Sequence, residues 1–261
     1  MSRRLESKVT IVVGAARGIG AATARRLCEE GATVILADLS VEAGQALASE
    51  LARDVGAAEF RFADLRDAAS LTSLMDSVAK EHGRIDGLFN NAVDSSLMDR
   101  DLDLLSTDPA IIDQAYQTDL RGYVLSCRAA LPHMLRQGGG AIVQSSSLAA
   151  SRGLPAPIGY ACAKAGVDAL TRHIALRWGK QNVRCNSIQP GLVMTEAAMA
   201  VADALPFEPI LAHTPSPRLG EVNDIAGLVA FLLSEEAKWI NGQVLCVDGG
   251  LTSGLYEAPA R

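Results

Sequence analysis

At 261 residues, with 49% hydrophobic and 21% charged side chains, the chain has the size and mix of one α/β domain and excludes disorder. Aromatics are only 4%, so the core has to be built from Ala, Val, Leu and Ile. A formal net charge of −6, with no dense basic stretch, argues against nucleic acid as a partner.

Short β-branched runs alternate with longer helical patterns along the chain. Strands are expected at Val9–Val13, Thr33–Ala37, Glu59–Phe62, Ile85–Phe89, Ala141–Ser145, Val183–Ile188 and Val244–Val247. Helices are expected at about 18–30, 41–54, 68–81, 109–136, 157–179 and 221–233. Strands spaced by helices imply βαβ crossovers, hence a doubly wound parallel sheet of about seven strands with helices on both faces. Gly31 stands where a glycine ends the first helix, and Gly138-Gly139-Gly140 closes the long fourth one. The least regular stretch, Thr195–Pro217, holds Pro206, Pro209, Pro215 and Pro217; it reads as a substrate-covering loop within a single domain spanning 1–261.

The five cysteines are scattered, odd in number and without a C-x-x-C pair, which fits a reducing cytoplasm. The four histidines lack ligand spacing, so no metal is expected. Val9–Val13 is too short for the core of a signal peptide, and no stretch is long enough to span a membrane.

The first strand runs into Gly14-Ala15-Ala16-Arg17-Gly18-Ile19-Gly20 and then an alanine-rich helix. Gly14 permits a tight turn, Gly18 lets the backbone approach a pyrophosphate, and Gly20 lets helix and strand pack closely. The helix N-terminus adds unpaired N–H groups for the phosphates. Asp38 ends the second strand 18 residues beyond Gly20, close to the spacing of a carboxylate that accepts from an adenosine ribose. It would repel the 2′-phosphate of NADP by about 4 kcal/mol at 4 Å and intermediate dielectric. Arg17 pulls the other way, because it can pair with that phosphate. NAD is the expected cofactor, with NADP the rival.

Tyr160 and Lys164 stand four residues apart on an expected helix and so share a face. A nearby ammonium favours phenolate and lowers a tyrosine from its reference of ~10, as a general base requires.

Together the Gly14–Gly20 loop, Asn90-Asn91-Ala92, Ser145-Ser146-Ser147, Tyr160 with Lys164, Pro190-Gly191 with Thr195, and Asp248-Gly249-Gly250 resemble the short-chain dehydrogenase/reductase family. The resemblance runs from about Lys8 to Gly254. It implies that Ser147, thirteen positions before Tyr160, hydrogen-bonds the substrate oxygen. Tyr160 would exchange the proton, and Lys164 would hold the nicotinamide ribose and depress the tyrosine. It further implies cofactor contacts from Ile19 and Leu39, adenine contacts from Asp64 and Leu65, flanking by Asn91 and Ala92, and a carboxamide held by Val193 and Thr195. Three positions depart from the family pattern: Val13 for threonine, Val93 for glycine, and Asp119 for the fourth catalytic residue, an asparagine. An anionic Asp119 near Lys164 would shift activity to higher pH.

Val93, Leu148, Leu154 and Leu192, with Ser147 and Tyr160, are the expected substrate contacts. They imply a neutral, fairly hydrophobic secondary alcohol or ketone. Asp94, Asp99, Asp101 and Asp103 read as a solvated face that would repel an anionic substrate. Carrier-protein-dependent relatives have arginines where Gly138 and Gln181 stand, which argues against an acyl-carrier substrate. The alternatives are an NADPH-dependent ketone reductase and, in another class, a cofactor-binding sensor or scaffold. The resemblance also implies a homotetramer, or a homodimer.

Overall fold

Every residue of β1 (Val9–Val13) is buried, as a strand covered on both faces must be. Val9, Ile11 and Val13 join one core cluster, while Val12 joins the other. The period-two alternation of a strand thus feeds two separate cores from one segment. The computed structural model describes residues 3–200 and 207–254.

Around β1 lie β2 (Thr33–Asp38), β3 (Ala58–Phe62), β4 (Gly87–Asn90), β5 (Gly140–Ser145), β6 (Val183–Pro190) and β9 (Val244–Val247). They form a seven-stranded parallel sheet in the order β3-β2-β1-β4-β5-β6-β9. Helices α1 (Gly18–Glu29), α2 (Val41–Asp54) and α9 (Val222–Leu233) cover the Val12 face. Helices α3 (Ala68–His82), α5 (Gly122–Arg136) and α6 (Ile158–Trp178) cover the other. The strand order reverses between β1 and β4, so their carboxyl ends diverge and open a crevice there.

Three features differ from the sequence-based expectation. The helix expected over 109–136 is interrupted: α4 (Pro109–Tyr116) gives way to a π-turn over Gln117–Arg121 before α5 begins. The wide turn spans only five residues, too short a segment for an apolar period to register. Gly122 lets this point approach the segment after β3, since a Cβ there would fall 2.7 Å from Leu65 Cβ. The fourth strand starts at Gly87 rather than Ile85, whose N–H is taken by the Gln137 side chain. In the Thr195–Pro217 stretch, short helices α7 (Glu196–Ala200) and α8 (Phe207–Ala212) occur, while residues 201–206 lie outside the described residues. Just outside it, β7 (Val193–Met194) pairs in parallel with β8 (Gly220–Glu221).

A Cβ on Gly20 would lie 1.9 Å from the Gly14 carbonyl oxygen, so the start of α1 packs backbone against backbone. Gly20→Ala is therefore expected to destabilise by about 1–3 kcal/mol in urea titration, despite the better helix propensity of alanine. Unchanged stability would mean that the loop relaxes freely.

Candidate active site

The crevice holds a cleft of about 1100 Å³, just above the usual ligand-pocket range of roughly 300–1,000 Å³. Gly14 turns the chain off β1 with φ +82°, and a Cβ there would sit 2.5 Å from the Ala92 backbone. Helix α1 has no side-chain cap and no acid in its first turn, unlike α3, which Asp67 caps. Its first N–H groups and its positive end therefore stay available to an anion. Arg17, Gly18, Ile19, Leu65, Asn91, Ala92, Val193 and Thr195 line the same cleft. Gly20 does not, and acts through packing alone.

Asp38 is oriented by two backbone donors: Ala16 N–H reaches one carboxylate oxygen at 2.9 Å, and Ser40 N–H reaches the other at 2.9 Å. Leu39 beside it is 49% exposed and brings no cation. Asp64 also lines the cleft, but both its oxygens pair with Arg66, which holds its carboxyl below the usual range. An uncapped helix start, a glycine turn too tight for a side chain and an oriented acid 18 residues on fit an NAD(P) dinucleotide.

At the far end, Ser147 follows β5 and Tyr160 and Lys164 rise from α6, all three lining the cleft. The Lys164 ammonium is 1% exposed. It donates to the Ser145 carbonyl at 2.8 Å and to the Tyr123 hydroxyl at 3.2 Å, and lies 5.5 Å from the Tyr160 ring centre. Tyr123 in turn donates to the Ala92 carbonyl at 3.1 Å. Burial lowers Lys164 to about 8, while Asp119 and Asp168 pull it back up.

The expectation of a depressed Tyr160 is corrected. Burial pushes its phenol up to about 12; Ser147 lowers it and Asp119 raises it further. Lysine spacing is legible in a sequence, but the loss of water around the phenol is not.

Asp119 sits in the π-turn, 1% exposed and outside the cleft wall, with its carboxylate accepting from Asp94 N–H at 3.3 Å. Burial raises it to about 6, against the opposing pull of Lys164.

Of the expected substrate contacts, Val93 and Leu192 line the cleft with Ser147 and Tyr160. Leu148 is buried and Leu154 is 48% exposed, and neither borders the cleft. Met98, Ser95 and Ser96 border it instead. The solvated acidic face also needs correcting: Asp99 and Asp103 are exposed, but Asp101 is 2% exposed and bound to the start of α6. A missing local cap is the signal that could have found it, since no Ser, Thr, Asp or Asn occupies Pro155–Pro157.

A doubly wound sheet with a nucleotide cleft at its switch point and a hydroxyl, a phenol and an ammonium at one end defines a nicotinamide-dependent oxidoreductase. A family profile described as enoyl-(acyl carrier protein) reductase matches residues 14–252. A protein of Bradyrhizobium diazoefficiens, named a probable short-chain type dehydrogenase/reductase, is 40% identical over 95% of this chain and 88% of its own. The 7α-hydroxysteroid dehydrogenase of Bacteroides fragilis is 38% identical over 95% and 96%. The crystal structure of levodione reductase superposes with a TM-score of 0.88 at 35% identity, covering 96% of this chain and 100% of that one. The chain belongs to the short-chain dehydrogenase/reductase family, and is an NAD(P)-dependent oxidoreductase acting on CH–OH groups.

Because an anion beside a phenol opposes its ionisation, removing the Asp119 charge lowers the Tyr160 pKa. In Asp119→Asn, the pH–rate curve for alcohol oxidation should rise at lower pH than in the parent, by up to about one unit. A curve that stays in place would show that Asp119 is protonated, or too distant to act.

Proposed function

We propose that the enzyme is an NAD-dependent dehydrogenase that transfers hydride between the nicotinamide and a neutral, fairly hydrophobic secondary alcohol or ketone. The observation carrying this reading is the convergence of Ser147, Tyr160 and Lys164 at one end of a cleft whose other end presents an oriented Asp38. Bound nicotinamide supplies or accepts the hydride at its ring. Ser147 donates to the substrate oxygen and holds it beside the Tyr160 phenol. In oxidation Tyr160 takes the hydroxyl proton as hydride leaves the carbon; in reduction it returns that proton to the oxygen. Lys164, with a pKa of about 8, is mainly charged at neutral pH, and its ammonium 5.5 Å from the Tyr160 ring opposes the burial that raises the phenol. Asp119 sets the field behind this pair.

Gly14, Arg17, Gly18, Ile19 and Thr195 surround the pyrophosphate and carboxamide end in this reading, while Asp38, Leu39, Asp64 and Leu65 take the adenosine. An anionic Asp38 without a cation at position 39 favours a ribose 2′-OH over a 2′-phosphate. Val93, Met98 and Leu192 supply the apolar wall for substrate, with Asp94 and Glu196 at its border disfavouring anions. The relatives named for a 7α-hydroxysteroid and for levodione are in keeping with such a substrate. The chain acts as one domain, with the described parts of the 195–217 stretch, 195–200 and 207–217, on the substrate side.

Trp239 and Leu176 are 96% and 88% exposed, apolar surface that suits burial between copies in a homotetramer or homodimer. A light-scattering mass of one chain would exclude both. Five unpaired cysteines suit the cytoplasm. Among the described residues no helix is long and apolar enough to cross a membrane.

Fluorescence titration should give an NADH Kd at least tenfold below that for NADPH; the reverse order would assign the cofactor choice to Arg17. Tyr160→Phe should lower kcat by about 10²–10⁴ while leaving NADH binding in place. Substantial turnover by that variant would remove Tyr160 from proton transfer.

A further inference from the structure

Helix α6 begins directly after Pro157 and carries no capping side chain of its own. Its first three N–H groups have no partner within the helix, yet all three are satisfied by one short piece of another loop. Ile158 N–H donates to the Leu102 carbonyl at 3.2 Å. Gly159 N–H and Tyr160 N–H donate to the two carboxylate oxygens of Asp101, at 2.9 and 2.7 Å. The carboxylate is 2% exposed and meets the positive end of a 21-residue helix, where charge-assisted hydrogen bonds are strongest.

The fit is mutual. A Cβ on Gly159 would lie 3.1 Å from Asp101 Oδ2 and 3.1 Å from Ile112 Cα, so the absent side chain makes the room that the carboxylate occupies. On the loop side, Asp101 N–H donates to the Leu97 carbonyl at 2.8 Å, and Leu97 packs with Ile111 and Ala115 in a separate small core. The same loop carries Val93, Ser96 and Met98, which border the cleft.

We propose that Asp101 is the positioning residue for Tyr160: its buried carboxylate grips the tyrosine's own backbone amide and so ties the phenol's position to the loop that walls the substrate pocket. The inference rests on the reading of Tyr160 as the acid–base group. Asp101 touches neither substrate nor cofactor and acts through the helix start. The cofactor loop after β1 makes none of these contacts and Lys164 has its own anchors at Ser145 and Tyr123, so the grip bears on turnover more than on nucleotide affinity.

The test compares Asp101→Ala, Asp101→Asn and Gly159→Ala with the parent, reading kcat, KM, NADH Kd by fluorescence, and amide exchange at Gly159 and Tyr160. Misplacement of a reacting group by about 1 Å can cost 10²-fold in rate. Asp101→Ala should lower kcat 10- to 100-fold, with NADH Kd within twofold and faster exchange at both amides. Asp101→Asn keeps one acceptor oxygen and should recover at least threefold of that loss. Gly159→Ala introduces the better helix former, yet should slow turnover because it crowds the carboxylate. A kcat within twofold of the parent in folded Asp101→Ala would overturn the proposal. So would a kcat loss matched by an equal weakening of NADH binding, which marks a general structural role. Should Asp101→Ala fail to fold, Gly159→Ala decides by the same criteria. A parent enzyme that binds NADH but turns over no secondary alcohol or ketone overturns the function reading alone. Amide exchange then still judges the grip: faster exchange in the variants supports it, and unchanged exchange overturns it.

Discussion

A primary ammonium with 1% of its surface exposed is the constraint around which this end of the molecule is built. Taking such an ion out of water costs several kcal/mol unless its protons are accepted nearby. The Ser145 carbonyl accepts one proton of Lys164, and can do so because β5 ends there and its last carbonyl faces α6. The Tyr123 oxygen accepts another, and its ring face lies 4.6 Å from the same nitrogen. The Tyr123 hydroxyl donates in turn to the Ala92 carbonyl just past β4, so one charge ties together β5, α5, α6 and the loop after β4.

The network extends one turn further along α6. Asp168, which supports the Lys164 charge, accepts from Ser187 at 2.8 Å and from Gln189 at 2.7 Å on β6. Gln189 then accepts from Ser151, in the segment just after Ser147. Each polar group inside is therefore held by a neighbour, which is the condition for a buried network to stiffen a site.

Much of this plan was legible beforehand, and the exceptions share a physical cause. Val9–Val13 announces itself because a strand buried on both faces runs almost unbroken in β-branched residues. The nucleotide loop was legible because glycine is needed where backbone meets backbone, as at Gly14 and Gly20. What escaped depends on partners distant in sequence. Asp101 looks like one acid of a charged run until the bare start of α6, 58 residues away, is set against it. Leu148 and Leu154 sit in an apolar stretch that could face core, solvent or cleft with equal local sense. The elevated phenol of Tyr160 follows from enclosure, which the four-residue spacing to Lys164 does not encode.

The parallel pairing of Val193 with Gly220 and of Met194 with Glu221 gives the intervening stretch a common point of departure and return. Beyond it, Glu221 and Asp224 form a capping box that starts α9, and Arg218 pairs with Asp224 at 2.7 Å. A closed loop of this kind changes length at an entropic cost that grows only logarithmically, about 0.6 kcal/mol for each doubling. The stretch stays tied at both ends: a Cβ on Gly18 would lie 3.4 Å from the Thr195 side chain, and Ser216 N–H donates to the Gly249 carbonyl at 2.9 Å. Between those ties the chain can change length at little cost to the nucleotide end, which leaves what the cleft admits open to revision.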